Sequence, residues 1–504
     1  MAASGDSTIE LVYIMITFFI SLLILLAAYF IYGRYVEKIF GIDAARTTPA
    51  ITKNDGVDYV PLPTWRIFMI QFLNIAGLGP IFGAILGALY GPSAFLWIVF
   101  GSIFAGAVHD YFSGMLSLRH GGASIPEVVG QYMGGGFRQF MRVFSVVLLL
   151  LVGVVFILGP AKILTGLTGE FMSIGSFGTF DLWLVVIFAY YLVATILPID
   201  KIIGKIYPLF GAVLLIMALG LLGAMLFNGA PIPELSAATL MNQHGSPDTH
   251  FLYPMLFITI ACGAVSGFHS TQSPMMARCL TNETQGRPIF FGAMIAEGAV
   301  ALIWAAAAMS FFGSTGELNS VMAENGNNAA WAVQTICNSW LGKVGGALAI
   351  LGVVACPITS GDTAFRSARL IIADFTNLCQ KPVRRRLVIT LPLFAVAWLV
   401  TRLDFGVIWR YFGFSNQLIA TIVLWTAAMY LRQQAKNYWI AFVPAVFMSA
   451  VCTTYILVAP EGLKLSTSIA YPIGLIVPAV LAAVFLFKSA KGVATTPIVE
   501  GEGS

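Results

Sequence analysis

The stretch Phe72-Leu-Asn-Ile-Ala-Gly-Leu-Gly-Pro80 interrupts a hydrophobic segment near its middle. A second hydrophobic segment is interrupted in the same way, at Ile258-Thr-Ile-Ala-Cys-Gly-Ala-Val-Ser-Gly267. A helix that breaks inside a bilayer leaves backbone N–H and C=O groups unpaired, and lipid cannot satisfy them. Because such breaks are tolerated where they line a cavity or bind something, the matched pair predicts a binding site at membrane depth.

The composition places the chain in a membrane. Of its 504 residues, 58% are hydrophobic and only 10% are charged, whereas soluble proteins are roughly 25% charged. Thirteen apolar runs have about the length of 20 residues that a spanning helix needs. They are 10–32, 64–90, 93–118, 138–167, 179–197, 205–228, 252–278, 287–313, 343–372, 386–402, 406–431, 437–458 and 469–488. The sequence therefore predicts an all-α, polytopic membrane protein.

The distribution of Lys and Arg orients these spans. With the N-terminus outside, all but five of the 27 Lys and Arg residues fall in loops, helix ends or the tail on the cytoplasmic side. The long external loops 229–251 and 314–342 carry none. Since cytoplasmic loops are enriched in Lys and Arg, we expect thirteen spans with the N-terminus outside and the C-terminus inside.

The two interrupted spans are the second and the seventh, and in this topology they run in opposite directions. Spans 2–6 (64–228) and spans 7–11 (252–431) therefore form two five-helix units of inverted topology, the arrangement of LeuT-like (APC-type) transporters. The runs 10–32 and 437–488 are additional helices. We expect one transmembrane transport domain over 1–504 that contains this 5+5 inverted repeat.

The half-helices after the breaks begin near the midplane, at Gly79 and Gly267. Their first N–H groups lack intrahelical partners and carry the positive end of the helix dipole, which favours an anion. The alternative is that Gly and Pro only kink these helices for packing. The candidate substrate-binding residues are Asn74, Gly77, Gly79, Gly263, Ser266, Gly267, His269 and Ser270.

Hydroxyl and carboxyl groups in spans 8 and 9 are candidates for binding a coupling ion. They are Thr359, Ser360, Asp362, Thr363 and Glu297. In LeuT-like folds the helix equivalent to span 9 supplies hydroxyls to a sodium site against the first broken helix. Asp362 could add a charge or carry a proton there, or it could only pair with Arg366. A carboxylate at the depth of Glu297 is costly, so a proton carrier is the default hypothesis, with a neutral hydrogen-bonded strut as the alternative.

Four further residues are candidates for a proton relay or a gate. The pair His109-Asp110 lies toward the cytoplasmic end of span 3 and could relay a proton, or snorkel near the inner interface. Lys162 and Arg410 lie near the outer face, where they could attract an anionic substrate or simply snorkel. His269 follows the second break directly and is either a substrate or proton contact or a structural cap.

Several stretches together resemble the carbon starvation protein A (CstA) family. They are Asn74-Ile-Ala-Gly-Leu-Gly-Pro-Ile-Phe-Gly-Ala84, Val108-His-Asp-Tyr-Phe-Ser-Gly-Met115, Gly159-Pro-Ala-Lys162, Phe268-His-Ser-Thr-Gln-Ser-Pro274, Ala296-Glu-Gly298 and Trp409-Arg-Tyr-Phe-Gly-Phe-Ser-Asn-Gln417. The resemblance implies a carrier of the bacterial or archaeal cytoplasmic (inner) membrane, linked to pyruvate uptake and peptide utilisation when carbon is short. The family's characterised pyruvate carriers resemble proton symporters.

We therefore expect an ion-coupled symporter, with a proton favoured over sodium, that imports a small carboxylate such as pyruvate. The alternatives are a di- or tripeptide carrier of the same fold, a sodium-coupled carrier and a channel. An enzyme is disfavoured because no metal-ligand cluster or nucleophile–base motif occurs. The expected partners are the small-molecule substrate and membrane lipid, without nucleic acid, cofactor or any metal beyond a possible sodium ion.

Overall fold

Long apolar helices make up most of the computed structural model, which describes residues 15–175, 177–196, 203–380 and 382–487. In chain order they are α1 (Ile16–Phe40), α2 (Thr64–Ile75), α3 (Gly79–Ala88), α4 (Ser93–Arg119), α5 (Ile125–Met133), α6 (Gly135–Thr168), α7 (Thr179–Ile196), α8 (Ile203–Phe227), α9 (Phe257–Thr259, after a π-turn at Leu252–Leu256), α10 (Gly267–Ala277), α11 (Glu283–Phe311), α12 (Thr315–Glu324), α13 (Ala329–Thr376), α14 (Val383–Val400), α15 (Phe405–Gln433), α16 (Trp439–Val458) and α17 (Thr467–Phe487). A short turn at Pro49–Thr52 and a small antiparallel hairpin, β1 (Ser173–Ile174) with β2 (Phe177–Gly178), connect some of them.

The helix pattern confirms a mostly helical, polytopic membrane protein. Among the described residues, ten helices are long and apolar enough to cross a membrane, and eleven if the bent pair α2 and α3 counts as one span. The predicted seventh span is divided into pieces that are each too short, and α14 carries three arginines in its first turn. The count of thirteen spans and their orientation stay predictions. Residues 10–14 of the first predicted span, residue 197 of the fifth, residue 488 of the last and most of the loop 198–205 lie outside the described residues.

Burial separates inner from outer helices. One continuous set of buried apolar side chains runs from Met15 to Phe485, and α4, α11, α13 and α15 lie deepest within it. The outer helices α1 and α17 instead expose large apolar side chains such as Leu23 and Leu475. In water such a surface would be costly, whereas lipid accepts it, so these helices form the rim that faces the bilayer.

The cation-rich loops meet at one end of the helix bundle. Arg119, at the end of α4, donates to the carbonyl oxygen of Gly41 at 2.7 Å. Arg278, just after α10, donates to the carbonyl oxygen of Gly122 at 2.8 Å. The loop 229–251, which has no Lys or Arg, does not take part in these contacts. It packs on the residues after α3, where the backbone N–H of Gln243 donates to Tyr90 O at 3.4 Å. The loops that the charge pattern assigns to the cytoplasm are therefore neighbours in the structure.

Candidate functional site

The first break separates α2 from α3 by a bend of 54°. α2 ends at Ile75, and Ala76 leaves helical geometry with φ −79° and ψ 46°. Side chains of α13 satisfy two carbonyl oxygens near this end: Cys356 Sγ donates to Ala76 O at 2.6 Å, and Ser360 Oγ donates to Leu73 O at 2.9 Å. These donors replace helical hydrogen bonds that the break removes, as the membrane interior requires.

The second break lies between α9 and α10, where the sequence predicts it. Two side chains of α4 donate to carbonyl oxygens of this irregular stretch. Trp97 Nε1 donates to Ile260 O at 3.0 Å, and Ser102 Oγ donates to Gly263 O at 3.0 Å. The non-helical backbone is therefore supported from one side by a single neighbouring helix.

From the other side, α15 closes the second break. Asn416 Oδ1 accepts the backbone N–H of Phe268 at 2.8 Å and the hydroxyl of Ser266 at 3.1 Å. Gln417 Nε2 donates to Phe257 O at 2.8 Å. The N-terminus of α10 thus already has a neutral acceptor where the sequence predicts an open anion site. An anion that binds there has to displace the Asn416 amide.

The two breaks touch each other. A Cβ built on Gly79 would lie 2.2 Å from Cβ of Cys262, and one built on Gly263 would lie 3.5 Å from Cα of Pro80. The first of these distances is far below normal contact, so only glycine permits this approach of backbone to backbone. The structure brings the first and second breaks together, while their role in binding a substrate stays a prediction.

A small crevice lies beside this contact. It has no room for a water-sized molecule, whereas typical ligand pockets measure ~300–1,000 Å³. It is lined by Gly79, Ile258, Thr259, Ala261, Cys262, Trp409, Phe412 and Gly413. The breaks are closely packed here, and a solute that binds between them requires them to separate.

Four titratable side chains from α4, α10 and α11 form a connected, fully buried group, the His–Asp–His–Glu chain. His109 Nδ1 lies 2.7 Å from Asp110 Oδ1, and His269 Nδ1 lies 3.0 Å from Asp110 Oδ2. His269 Nε2 lies 3.4 Å from Glu297 Oε2. One carboxylate therefore bridges two imidazoles, and the second carboxyl group ends the chain.

The geometry of this chain fixes where a proton is needed. An ionised Asp110 can only accept hydrogen bonds, so it holds both histidines with Nδ1 as the donor. A neutral His269 then presents a lone pair at Nε2 to Glu297, and two lone pairs cannot bond. The 3.4 Å gap therefore calls for one proton, on either group. Among the described residues, neither His269 Nε2 nor a carboxyl oxygen of Glu297 has a hydrogen-bond partner.

The structure joins residues that the sequence flags separately. His109 and Asp110 are both fully buried, and Asp110 contacts His269, so the alternative of a snorkelling pair at the inner interface is wrong. Glu297 is not a hydrogen-bonded strut, because neither of its carboxyl oxygens has an aligned partner among the described residues. Oε2 of Glu297 lies within ion-pair distance of His269 Nε2.

The hydroxyl groups predicted for a sodium site lie on α13, which packs against α2. Thr359 Oγ1 donates to Cys356 O at 2.7 Å, and Thr363 Oγ1 donates to Ser360 O at 3.0 Å, both within their own helix. Ser360 reaches across to the first break, as described above. The hydroxyl oxygens keep lone pairs, so their role as sodium ligands stays a prediction.

Asp362 has a partner that the sequence does not suggest. Its Oδ2 accepts the hydroxyl of Tyr207, on α8, at 2.7 Å. The same hydroxyl lies 3.1 Å from Thr359 O. Arg366, the alternative partner, lies 3.7 Å from Asp58 and also attracts Asp362 electrostatically, so that pairing stays a prediction. Asp362 thus links α13 to α8, and among the described residues no hydrogen bond or ion pair joins it to the His–Asp–His–Glu chain.

The remaining candidate substrate-binding residues differ in whether their side chains are free to form a hydrogen bond with a ligand. Both amide atoms of Asn74 are buried and without a hydrogen-bond partner among the described residues. Gly77 lies against the ring of Phe156, where an added Cβ would come within 2.6 Å. Ser270 Oγ donates to Gly267 O at 2.7 Å, within its own helix. Asn74 is therefore the candidate whose side chain is most available to a ligand.

The two candidate outer cations both have neighbours. Arg410 Nε lies 3.2 Å from Glu461 Oε2, so its charge is paired. Lys162 is exposed, and its Nζ lies 4.3 Å from the centre of the Phe405 ring. Of the pair, Lys162 is the better suited to attracting an anion, because no carboxylate lies at ion-pair distance from it among the described residues.

Sequence reasoning missed six residues that hold the breaks and their surroundings: Trp97, Ser102, Asn416, Gln417, Cys356 and Tyr207. The adjacent amides Asn416 and Gln417 are a usable signal, because two polar side chains in the middle of an apolar span are costly unless they are partnered. Cys356 and Tyr207 give no such signal, since both are common in apolar helices.

Two touching helix breaks beside a buried titratable chain, in a polytopic bundle, define the class of this protein as a membrane transporter. Its fold matches that of MhsT, solved in complex with L-phenylalanine, with a TM-score of 0.53 over 84% of this chain and 98% of that one. At 13% identity this likeness concerns the fold alone, which is the LeuT fold.

The chain belongs to the family of the carbon starvation protein CstA, whose model matches residues 13–180, 166–344 and 337–455. It is 46% identical to an uncharacterized membrane protein of Haemophilus influenzae, over 59% of this chain and 91% of that protein. It is 27% identical to the peptide transporter CstA of Campylobacter jejuni, over 94% and 84% of the two chains. It is 26% identical to the pyruvate/proton symporter BtsT of Escherichia coli, over 88% and 81%. The members named for an activity are transporters, not enzymes.

Proposed function

We propose that this protein is a proton-coupled symporter that imports a small carboxylate such as pyruvate across the inner membrane of a bacterium or archaeon. The observation that carries the proposal is the His–Asp–His–Glu chain, which holds a place for one proton between His269 and Glu297. Intramembrane titratable groups are expensive and mark ion pathways. A fully buried chain of four of them, next to a helix break, is best explained by proton transport.

Coupling follows from where His269 sits. It is the third residue of α10, the half-helix that starts at the second break, whereas Glu297 lies on α11. A movement of α10 changes the distance between His269 Nε2 and Glu297 Oε2, and with it the affinity for the shared proton. Since a ligand shifts a conformational equilibrium by its differential affinity for the two states, proton binding here biases the position of α10.

A small carboxylate suits the other groups around the breaks. Displacing Asn416 frees the N–H of Phe268 and the hydroxyl of Ser266 for a carboxylate, at the positive end of α10. Asn74, at the end of α2 before the first break, offers an unpartnered amide among the described residues. The Escherichia coli relative named as a pyruvate/proton symporter agrees with both the ion and the substrate.

The transport cycle is alternating access in a LeuT-like fold of thirteen spans, with the N-terminus outside and the C-terminus inside. The units 64–228 and 252–431 act as the two inverted repeats, and the flanking helices 10–32 and 437–488 are additions to them. Proton and substrate bind while the breaks face outward, and rocking of one helix bundle against the other exposes them to the cytoplasm.

A di- or tripeptide is the second candidate substrate, because the Campylobacter jejuni relative is named a peptide transporter. A peptide also ends in a carboxylate, so the same donors suit it. Sodium is the second candidate ion, bound by Thr359, Ser360 and Thr363 against the first break. The carbonyl oxygens there already accept hydrogen bonds from Cys356 and Ser360, which favours the proton.

Proteoliposomes separate these possibilities. Labelled pyruvate or labelled dialanine is offered outside, with either an inward proton gradient or an inward sodium gradient imposed. We expect accumulation of pyruvate with the proton gradient alone. Accumulation of dialanine but not pyruvate would assign the second substrate, and accumulation with sodium alone would reject proton coupling. Empty liposomes and liposomes with an added protonophore are the controls.

A further inference from the structure

A large cavity, separate from the helix breaks, opens between the transport helices and the two last helices of the chain. Its volume is about 840 Å³. One wall is the end of α5 and the start of α6, another is the second half of α15, and the third is α16 with α17. Its lining is mostly apolar, with Phe137, Phe140, Ile422, Leu481 and Val484 as typical members. We refer to it as the α15–α17 slot.

The slot is elongated along α15. On α15 its lining runs from Leu418 to Gln433, a distance of about 22 Å at 1.5 Å per residue. This exceeds half of the ~30 Å hydrocarbon core. The slot therefore has the depth of one lipid leaflet and the form of a groove for an extended chain.

Polar groups deep in the slot are occupied by one another. Trp425 Nε1 donates to Ser449 Oγ at 2.9 Å. Thr421 Oγ1 donates to Gln417 O at 2.7 Å and lies 3.5 Å from Cys452 Sγ. The interior of the slot thus offers hydrocarbon contact and few free hydrogen-bonding groups, which suits an acyl chain better than a polar solute.

A positively charged side chain, Arg432, lies at one end of the slot. Arg432, near the C-terminal end of α15, donates through one nitrogen to Leu486 O at 3.2 Å and lies over the ring of Phe485 at 4.9 Å. No carboxylate lies at ion-pair distance from Arg432 among the described residues. This end of α15 leads into the Lys- and Arg-rich side of the molecule, with Lys436 in the next loop. An apolar groove that ends at a cation without an acidic partner is complementary to an anionic amphiphile.

We propose that the α15–α17 slot binds one anionic phospholipid, with an acyl chain along α15 and the phosphate group at Arg432. The lipid fills the space between the transport helices and the added helices α16 and α17, and so ties the addition to the transport unit. None of the slot's lining residues belongs to the proposed proton and substrate sites, whose one member on α15 is Asn416.

Bromolipid quenching of tryptophan fluorescence tests the proposal. The purified full-length protein is mixed with micelles that contain phosphatidylglycerol or phosphatidylcholine with brominated acyl chains. The difference between the wild type and Trp425→Phe isolates the signal of Trp425, which lines the slot. We expect brominated phosphatidylglycerol to quench this signal at about fivefold lower concentration than brominated phosphatidylcholine, the preference that one surface cation gives for an anionic lipid.

Matched variants locate the site. Arg432→Gln is expected to remove the preference for phosphatidylglycerol, whereas Arg385→Gln, at an exposed arginine of α14, keeps it. Leu481→Phe, in the slot wall, is expected to weaken quenching by both lipids, whereas Leu475→Phe, exposed elsewhere on α17, does not. If a second copy of the chain or residues 488–504 occupy the slot instead, neither bromolipid quenches Trp425. That result, or equal affinity of the wild type for both lipids, overturns the proposal.

Discussion

The two helix breaks share a sequence pattern but differ in what surrounds them. The first is supported by a thiol and a hydroxyl from α13, and it leaves Asn74 without a hydrogen-bond partner among the described residues. The second is supported by aromatic, hydroxyl and amide donors from α4 and α15, and it leads directly into the His–Asp–His–Glu chain. Among the described residues, the hydrogen bonds of the His–Asp–His–Glu chain join it to α10, which follows the second break.

This difference in surroundings suggests that the two breaks have different functions. A break held by one thiol and one hydroxyl donor, next to an unpartnered amide, is free to exchange partners with a solute. A break held by several strong donors and joined to buried carboxyl groups is suited to move when a proton binds. In this account the first break contributes mainly to substrate binding and the second mainly to coupling. Substitutions at each break and a change of pH test that division.

Asp110→Asn should disturb the second break most. The carboxylate accepts from two histidines, and an amide of the same shape can accept from only one without facing an N–H group. Because each hydrogen bond to a charged group contributes about 1.5–3 kcal/mol, we expect the free energy of unfolding in detergent to fall by about 3 kcal/mol. Ser113→Ala, which removes a neutral bond to Ser273 one turn away, should cost only about 1 kcal/mol. Equal losses would show that Asp110 is not ionised in the folded protein.

Gly79→Ala should force the two breaks apart. Its new Cβ would lie 2.2 Å from Cβ of Cys262, and such overpacking costs about 1–3 kcal/mol. Thermal unfolding and pyruvate counterflow should both be impaired, and Cys262→Gly should restore them in the double variant. Gly223→Ala is the matched control, because nothing lies within 4 Å of that position on α8. A Gly79→Ala protein as stable as the control would contradict the contact between the breaks.

Asn416→Ala and Cys356→Ala compare the supports of the two breaks directly. Asn416 caps α10 through two hydrogen bonds, and loss of a cap costs about 1–2 kcal/mol. Cys356 is a weak thiol donor, and we expect its loss to cost about 0.5 kcal/mol. The measurement is the midpoint of denaturant unfolding for both proteins. A larger effect of Cys356→Ala would reverse the comparison.

A smaller, local effect is expected at the outer end of the first broken helix. His244 in the loop 229–251 stacks on His250 with ring centres 4.1 Å apart and lies 4.9 Å from the ring of Tyr90, just after α3. Burial, with a contribution from His250, lowers the pKa of His244 to about 4 from 6.5. The folded loop therefore favours neutral His244, and its stability is complete above pH 6.5 and is lost as pH falls toward 4.

Hydrogen exchange of residues 242–250, expressed as protection factors, measures this effect. Protection should decrease between pH 6.5 and 4 in the wild type and change much less in His244→Phe, which keeps an aromatic ring on Tyr90. Exchange of α10 should be unaffected over the same range, since no hydrogen bond joins the loop to α10 among the described residues. A pH-independent loop in the wild type would remove His244 as the cause.

The breaks themselves could be predicted from the sequence because their signal is local. Gly and Pro within an apolar run are visible over ten residues, and the structure ends α2 at Ile75 and begins α10 at Gly267. The charge pattern and the spacing then predict that the two breaks are related. Their direct contact through Gly79 and Cys262 is a tertiary fact that only the packing of the helices reveals.

The His–Asp–His–Glu chain could be predicted only in parts. Each member is conspicuous as a polar group in an apolar span, and each was a candidate for that reason. Their connection depends on residues 159 positions apart, such as Asp110 and His269, and on the rotation of three helices about their axes. No local pattern encodes that rotation. For the same reason Asn416 reads as one more polar residue of α15 until its contact with the second break is known.

The most direct test of the account is the comparison of two pyruvate fluxes in proteoliposomes that contain Glu297→Gln. Counterflow at equal pH on both sides requires movement of the loaded carrier but no net proton transfer, whereas accumulation against a gradient requires that a proton binds and is released. Glutamine cannot carry that proton. We predict that Glu297→Gln retains counterflow and loses accumulation driven by a pH gradient, while the exposed-residue control Glu317→Gln retains both. Accumulation at the wild-type level in Glu297→Gln would contradict the account.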